Sequence, residues 1–466
     1  MLFTAPAFLF LFLPIALLVY VVCVKRHRRI GLLCVCVAYH LLLWINTPVN
    51  LLFLPLLILY TYGGGKLLTR HPSSPRAFAV CVLPYVALIF CRMLAYHSTA
   101  GFVYPVGLTV AVMCSTSYLL QILRGTVTRR HTLFDLALYL SFFPIMIVGP
   151  FVKYDRFLEL TAPEGLSFDL PSFSFGIRRF SVGLIKRIGI GAVLMETYTT
   201  FADFSQESPD VMQIFFLLIL IYYGIYFTVT GYSDMGCGLA NMFGVKLRYV
   251  HSTPFHAAVP DEYCRSMIYS LQDWMDDYLI RPMTRLSGGR FVHAIRAVVY
   301  GSCLLLFVRS ESYVLLLALP LIAIEYAVSR FHLENRLLRQ SGLRILSTLL
   351  TMGLVSVGWM LITFGDLASI LDYLSRLSFA NSEYHMDLML VSFSGIKYVF
   401  VILVAILLIL PGFGGGRLPG TRSARGEALI DGGSMILIFV LLLFTLVFFL
   451  PDYPLYSTTP FQYVYI

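Results

Sequence analysis

Apolar stretches of about the length needed to cross a bilayer recur from one end of this chain to the other, and they leave few folds open to it. A helix rises about 1.5 Å per residue, so about 20 residues cover the ~30 Å hydrocarbon core. Such stretches fall near residues 8–24, 30–45, 49–62, 77–94, 102–123, 134–151, 180–196, 211–230, 295–308, 313–329, 343–364, 398–410 and 434–450. They predict an all-α, polytopic membrane protein of roughly a dozen transmembrane helices. Residues 1–466 then form a single integral membrane domain. Composition agrees, since 58% of the residues are hydrophobic and only 13% charged, against about 25% charged in a soluble domain. A soluble fold of this length would lack the polar surface to cover itself.

Basic residues set the expected orientation. Lys25, Arg26, Arg28 and Arg29, then Lys66, Arg70 and Arg76, then Arg124, Arg129 and Arg130 fall in loops two spans apart, and Arg417, Arg422 and Arg425 precede the last span. The positive-inside rule makes these loops cytoplasmic and places both termini outside. Termini on one side need an even number of crossings, so at least one apolar stretch is expected to be re-entrant or interfacial. The first stretch has no basic region before it and no small-residue cleavage pattern after it, which predicts a retained helix. The net charge of +9 is accounted for by topology-setting loops and contacts with anionic headgroups of the lipid bilayer. The basic residues form no single stripe, so nucleic-acid binding is not expected. Nine cysteines lie mostly within apolar stretches, as Cys34, Cys36 and Cys303 do, without paired spacing for a metal or a thiol-disulfide motif.

Two intervals depart from this pattern. Between Lys246 and Arg290, the residues Met267, Leu271, Trp274, Met275, Tyr278 and Leu279 recur at helical spacing, with Asp273, Asp276 and Asp277 largely off that face. This predicts a helix lying in the interface or dipping into the protein interior. Between Tyr226 and Gly244, the residues Thr230, Ser233 and Asp234 interrupt a hydrophobic span. A carboxylate at the centre of an inserted helix costs about 2.5–3.5 kcal/mol, so it needs a partner or a wet cavity. Asp234 therefore caps a broken helix, pairs with an arginine in the bundle, or lines a substrate cavity. Pro144, Gly149 and Pro150 predict a second break within the membrane, because proline removes a backbone donor and clashes with the preceding turn.

The stretch YFTVTGYSDM, residues 226–235, resembles the Tyr-Phe-Asp-Phe-Ser-Gly-Tyr-Ser-Asp-Met signature of the membrane-bound O-acyltransferases, in the branch of the alginate O-acetylation protein. Thr228, Val229 and Thr230 stand where that branch has Asp, Phe and Ser. Further blocks resemble the same branch in the same order: residues 1–20, LFDLALYLSFFPIMIVGPFVKYDRFL at 133–158, FGIRRFSVGLIKRI at 175–188, SLQDWMDDYLIRP at 270–282, VGWMLITFGDL at 357–367 and residues 460–466. The resemblance implies a helical bundle, with re-entrant or interfacial helices, around a tunnel lined by Tyr232, Ser233, Asp234, Trp274 and Asp277. An acyl group would pass through it from a cytoplasmic thioester, acetyl-CoA or another acyl carrier, to a hydroxyl of an exported glycan or of an extracytoplasmic partner protein. It also implies the inner membrane of a bacterium, and no bound cofactor or metal.

The resemblance fails where that family does its chemistry. The family places a His on a late span as general base toward the acceptor hydroxyl, and aligning residues 310–326 puts Arg309 there. A second His of the branch is replaced by Ile268. A guanidinium stays protonated and cannot accept a proton, so Arg309 is not a substitute base. His293 is the nearest imidazole to take its place, and His251 and His256 lie near the polar interval. Loss of a general base costs a factor of about a hundred to ten thousand. Little transferase activity is therefore expected, and two hypotheses stand: an acyltransferase with a relocated base, and a silent relative serving as channel, scaffold or partner subunit. A transporter unrelated to acylation would leave the ordered blocks unexplained.

Overall fold

The structure, a computed structural model, describes residues 3–23, 27–45, 50–71, 77–97, 105, 107–127, 132–147, 152–163, 166, 168–204, 211–247, 257–259, 262–263, 266, 269–281, 341–364, 375, 404 and 438–446. Among these residues every regular element is helical, as the apolar periodicity predicts. The principal helices are α1 (Leu13–Cys23), α2 (Arg28–Leu43), α3 (Asn50–Arg70), α4 (Ala77–His97), α5 (Leu108–Leu123), α6 (Leu133–Ser141), α7 (Tyr154–Thr161), α8 (Leu170–Leu184), α9 (Val193–Phe204), α10 (Val211–Met242), α11 (Tyr269–Met275) and α12 (Ser341–Phe364). A π-helical segment, Ile185–Ala192, joins α8 to α9, so the chain stays helical from Leu170 to Phe204.

Three of the described helices are long and apolar enough to cross a bilayer: Asn50–Arg70, Val211–Met242 and, within α12, Gly342–Met360. Shorter apolar helices cover Phe8–Val21, Ala79–Leu88, Leu108–Leu123 and Leu133–Ile145. The expected stretches at 295–308, 313–329 and, apart from Val404, 398–410 lie outside the described residues. Of the three long spans α10 is the central one, with 67% of its most apolar window buried against 28% for Asn50–Arg70 and 22% for Gly342–Met360. It packs most extensively against α8, then against the π-helical segment and α9, and it also meets α12 and the turn at Phe143–Ile145. Leu56 and Leu59 on α3, like Ile345 and Leu349 on α12, are instead exposed, the pattern of a lipid-facing surface.

Element ends follow local chemistry. Thr132 and Asp135 form a reciprocal capping box at the start of α6, and Asp135 also pairs with Arg29 from the start of α2. Helix α6 stops at Ser141, and the short 3-10 turn Phe143–Ile145 carries Pro144, so the break expected at Pro144 is present and buried. Gly149 and Pro150 lie outside the described residues. Asp169 caps α8 by accepting from the Ser172 N–H at 2.8 Å and lies 2.7 Å from Lys246. Burial works against its charge, yet the bonds from Lys246 and Ser172 prevail and hold its carboxyl at about 2. Helix α10 ends through Gly244, whose φ of 80° suits glycine, and through Asn241, whose side chain donates to the carbonyls of Cys237 and Leu247.

Candidate functional site

The polar residues of α10 meet α8 and the π-helical segment along a seam of glycines. A Cβ on Gly183 would come within 2.6 Å of the Gly231 carbonyl oxygen, and one on Gly238 within 2.6 Å of the Phe180 amide nitrogen. Gly176 likewise faces the Gly238 carbonyl at 2.7 Å. These pairs run in opposite directions along the chain, so the two helical segments are antiparallel and in backbone contact. Small residues permit such an approach between helices in a membrane, where dispersion and polar contacts drive association.

Between the glycine pairs sits an ion cluster. The Arg179 Nε donates to Asp234 Oδ1 at 2.8 Å, and its Nη2 lies 2.7 Å from the same oxygen. The Lys186 ammonium donates to Asp234 Oδ2 at 2.7 Å. Asp234 is 0% exposed, and Arg179 and Lys186 are about as deeply buried. Arg187, also fully buried, sets its guanidinium carbon 5.4 Å from the centre of the Tyr232 ring, a cation–π contact. The three readings open for Asp234 are thereby narrowed. Helix α10 is continuous from Val211 to Met242, so Asp234 does not cap a broken helix, and it pairs with a buried arginine and a buried lysine. Tyr232 and Ser233 are buried beside it.

The resemblance at residues 175–188 assigns no role to Arg179, Lys186 or Arg187. Four cations, Arg178, Arg179, Lys186 and Arg187, within a largely apolar run were the available signal, since any that is buried must find a partner inside the membrane. The seven-residue recurrence of Gly224, Gly231 and Gly238 was a second.

A second locus centres on Tyr278. Helix α11 continues into a π-helical segment, Asp276–Ile280. Trp274, Met275 and Tyr278 are buried, as their helical spacing predicts, but so are Gln272 and Asp276, so the covered face is wider than the apolar stripe alone. The Gln121 amide of α5 donates to the Tyr278 hydroxyl, and Trp274 lies 5.6 Å from the Tyr278 ring. Arg124 stands over the same ring at 5.3 Å. Burial pushes the Tyr278 phenol up to about 12. Asp277 pairs with Lys153 and, at 2.6 Å, with Arg281. Trp274 and Asp277 thus share this locus, while Tyr232, Ser233 and Asp234 belong to the seam. Arg309, His293, Ile268, His251 and His256 lie outside the described residues.

Helices as the sole regular element among the described residues, three of them of membrane length, and a buried ion cluster on α10 define a membrane-embedded helical protein. Comparison with known proteins narrows the class. The chain is 26% identical over 303 residues to the probable alginate O-acetylase AlgI of Pseudomonas aeruginosa, covering 60% of this chain and 56% of that protein. It is 28% identical over 290 residues to the Pseudomonas fluorescens protein of the same name, covering 60% and 56% of the two chains. A peptidoglycan O-acetyltransferase of Helicobacter pylori is 27% identical over 177 residues, 37% of this chain and 32% of that protein. The resemblance to the alginate O-acetylation branch of the membrane-bound O-acyltransferases is borne out. The matched region spans little more than half the length of the alginate O-acetylases. No protein-family model matches the chain.

Proposed function

We propose that the chain is a membrane-bound O-acyltransferase that moves an acyl group, acetyl by analogy, from a cytoplasmic thioester to a hydroxyl of an exported glycan. The similarity to proteins named for O-acetylation of two different glycans, alginate and peptidoglycan, carries this reading. Polysaccharide and peptidoglycan share carbohydrate hydroxyls as acceptors, and acetyl transfer is common to both names. The buried seam supports it physically, because a membrane enzyme must hold its reacting groups on rigid, closely packed helices. The same reading places the protein in a bacterial inner membrane with both termini outside, delivering the acyl group directly or through an extracytoplasmic partner protein. It is tested by supplying radiolabelled acetyl-CoA to one face of vesicles that carry the protein and its glycan acceptor. Label in the glycan is the expected result; label that stays on coenzyme A or passes only to water would overturn the reading.

A second reading is favoured by one observation. Aligned by the family resemblance, Arg309 falls about where that family has its general base, and a guanidinium cannot accept the acceptor's proton. On that reading the chain keeps the scaffold and serves as a channel or partner subunit, and the same vesicles carry no label to glycan until a competent relative is added.

A further inference from the structure

The last turn of α2 carries two buried polar atoms that no group among the described residues meets. His40 is 5% exposed, and its Nε2 lies 3.0 Å from the Ser141 carbonyl oxygen. That carbonyl belongs to the final turn of α6, where the chain leaves the helix ahead of Pro144, so it is one of those a helix end leaves for an outside donor. A carbonyl only accepts, so Nε2 carries a proton, and in the neutral ring Nδ1 keeps a lone pair. Nδ1 has no hydrogen-bond partner. One turn on, Trp44 is 3% exposed, and its indole N–H has none either.

Positions i and i+4 share a helix face, and the His40 and Trp44 rings lie 4.9 Å apart between centres, 32° from parallel. An acceptor and a donor thus sit on neighbouring, touching rings. Their surroundings are tightly packed: Tyr39 stacks on Phe143 at 4.6 Å, and Phe143 meets Phe243, just past the end of α10, at 5.8 Å. Buried polar atoms left unmade are costly, and native proteins keep few of them. A hydroxyl group answers both, since its O–H donates to Nδ1 while its oxygen accepts from the indole N–H. An ionised carboxylate has no hydrogen for Nδ1, and an ammonium has no lone pair for the indole.

We propose that His40 and Trp44 form a binding site for a hydroxyl of the acyl acceptor. The helix from Arg28 to His40 rises about 18 Å, which carries the pair past the middle of the ~30 Å hydrocarbon core. With the basic start of α2 on the cytoplasmic side, as the positive-inside rule has it, the pair lies in the half of the membrane that an exported glycan faces. The proposal rests on the acyl-transfer reading and deepens it by naming residues that hold the acceptor. Water and the glycerol headgroup of a phospholipid carry the same hydroxyl chemistry, and the test separates them from a glycan.

The test uses the full chain in detergent with nitrogen-15 in its histidines, the His40 signals being those absent from His40→Gln. Gln keeps an N–H for the Ser141 carbonyl and removes Nδ1, while Trp44→Phe keeps a ring and removes the indole N–H. Adding an alginate oligosaccharide or a peptidoglycan fragment should shift the His40 Nδ1 signal, and adding phosphatidylglycerol should not. In acetyl transfer from acetyl-CoA, each variant should raise the KM for glycan about tenfold, on the scale of one hydrogen bond, and leave the KM for acetyl-CoA unchanged. Thermal stability should hold in both, because the deleted atoms make no hydrogen bond among the described residues. Lowered stability with an unchanged glycan KM would mean a structural water only, and a shift caused by phosphatidylglycerol alone would mean a lipid headgroup. Either result overturns the site, as does an Nδ1 signal that neither glycan moves. If glycan shifts the signal but no acetyl is transferred, the transfer reading fails and the site stands. If acetyl is transferred with the glycan KM unchanged in both variants, the reading stands and the site fails.

Discussion

Asp234 shows how one residue can decide the packing of two helices. Its carboxylate neutralises charge on Arg179 and Lys186 in buried surroundings, and removing one partner from a buried ion pair leaves an uncompensated charge. Asp234→Ala should therefore destabilise the protein by about 3–5 kcal/mol, read by chemical unfolding in detergent. Replacing Arg179, Lys186 and Asp234 together by apolar residues of similar size should recover most of that loss; a deficit as large as the single variant's would refute the pairing account. Asp169, partly exposed, is a milder case. Its carboxyl lies lower in the folded chain than the usual value near 3.9. It thus contributes stability above about pH 4 that disappears as pH falls toward 2. Asp169→Ala should cost about 1 kcal/mol near neutral pH through the lost cap, and its difference from the native chain should vanish in acid. A difference independent of pH would contradict the assignment. The need of Asp234 for a partner was legible in the sequence because a lone carboxylate in a span is costly. Which cation would meet it was not, since that depends on the register between two helices far apart in the chain.

At the scale of elements, the glycine seam fixes how closely α8 and α10 approach. Gly183→Ala would drive a methyl group onto the Gly231 carbonyl, where backbone cannot give way, and should cost about 1–3 kcal/mol or more. Gly63 on α3 has nothing within 4 Å of its absent Cβ. There the same substitution should be neutral or stabilising by up to about 1 kcal/mol, because alanine is the better helix former. Equal effects of the two changes on thermal stability would mean that the seam does not set the spacing. The apolar periodicity made helices predictable, and Pro144 correctly marked the end of α6. The continuous helix from Leu170 to Phe204 was longer than the 180–196 stretch read from hydropathy. Its ends are set by the Asp169 cap and by packing on α10, whereas hydropathy registers only the apolar centre. The buried width of α11 was underestimated for a related reason. Gln272 and Asp276 are buried, and no property of their own sequence reports that.

For the whole molecule, the contrast lies between a retained scaffold and an altered base. On the acyl-transfer reading proposed above, the seam and the capped helices form the scaffold, while Arg309, which the sequence resemblance aligns with the family His, offers no imidazole to take the acceptor's proton. General-base catalysis contributes a factor of about a hundred to ten thousand. Acetyl transfer by the native chain should therefore be slow, far below the usual enzyme turnover of about 1 per second or more. The most direct measurement compares acetyl transfer from acetyl-CoA to glycan by the native chain and by Arg309→His, each with its cognate partner. We expect slow transfer by the native chain and at least a tenfold rise on restoring the imidazole, a modest share of what a general base contributes. Native turnover of about 1 per second would show that another group serves as base, and no transfer by either chain would contradict the assignment to O-acyl transfer.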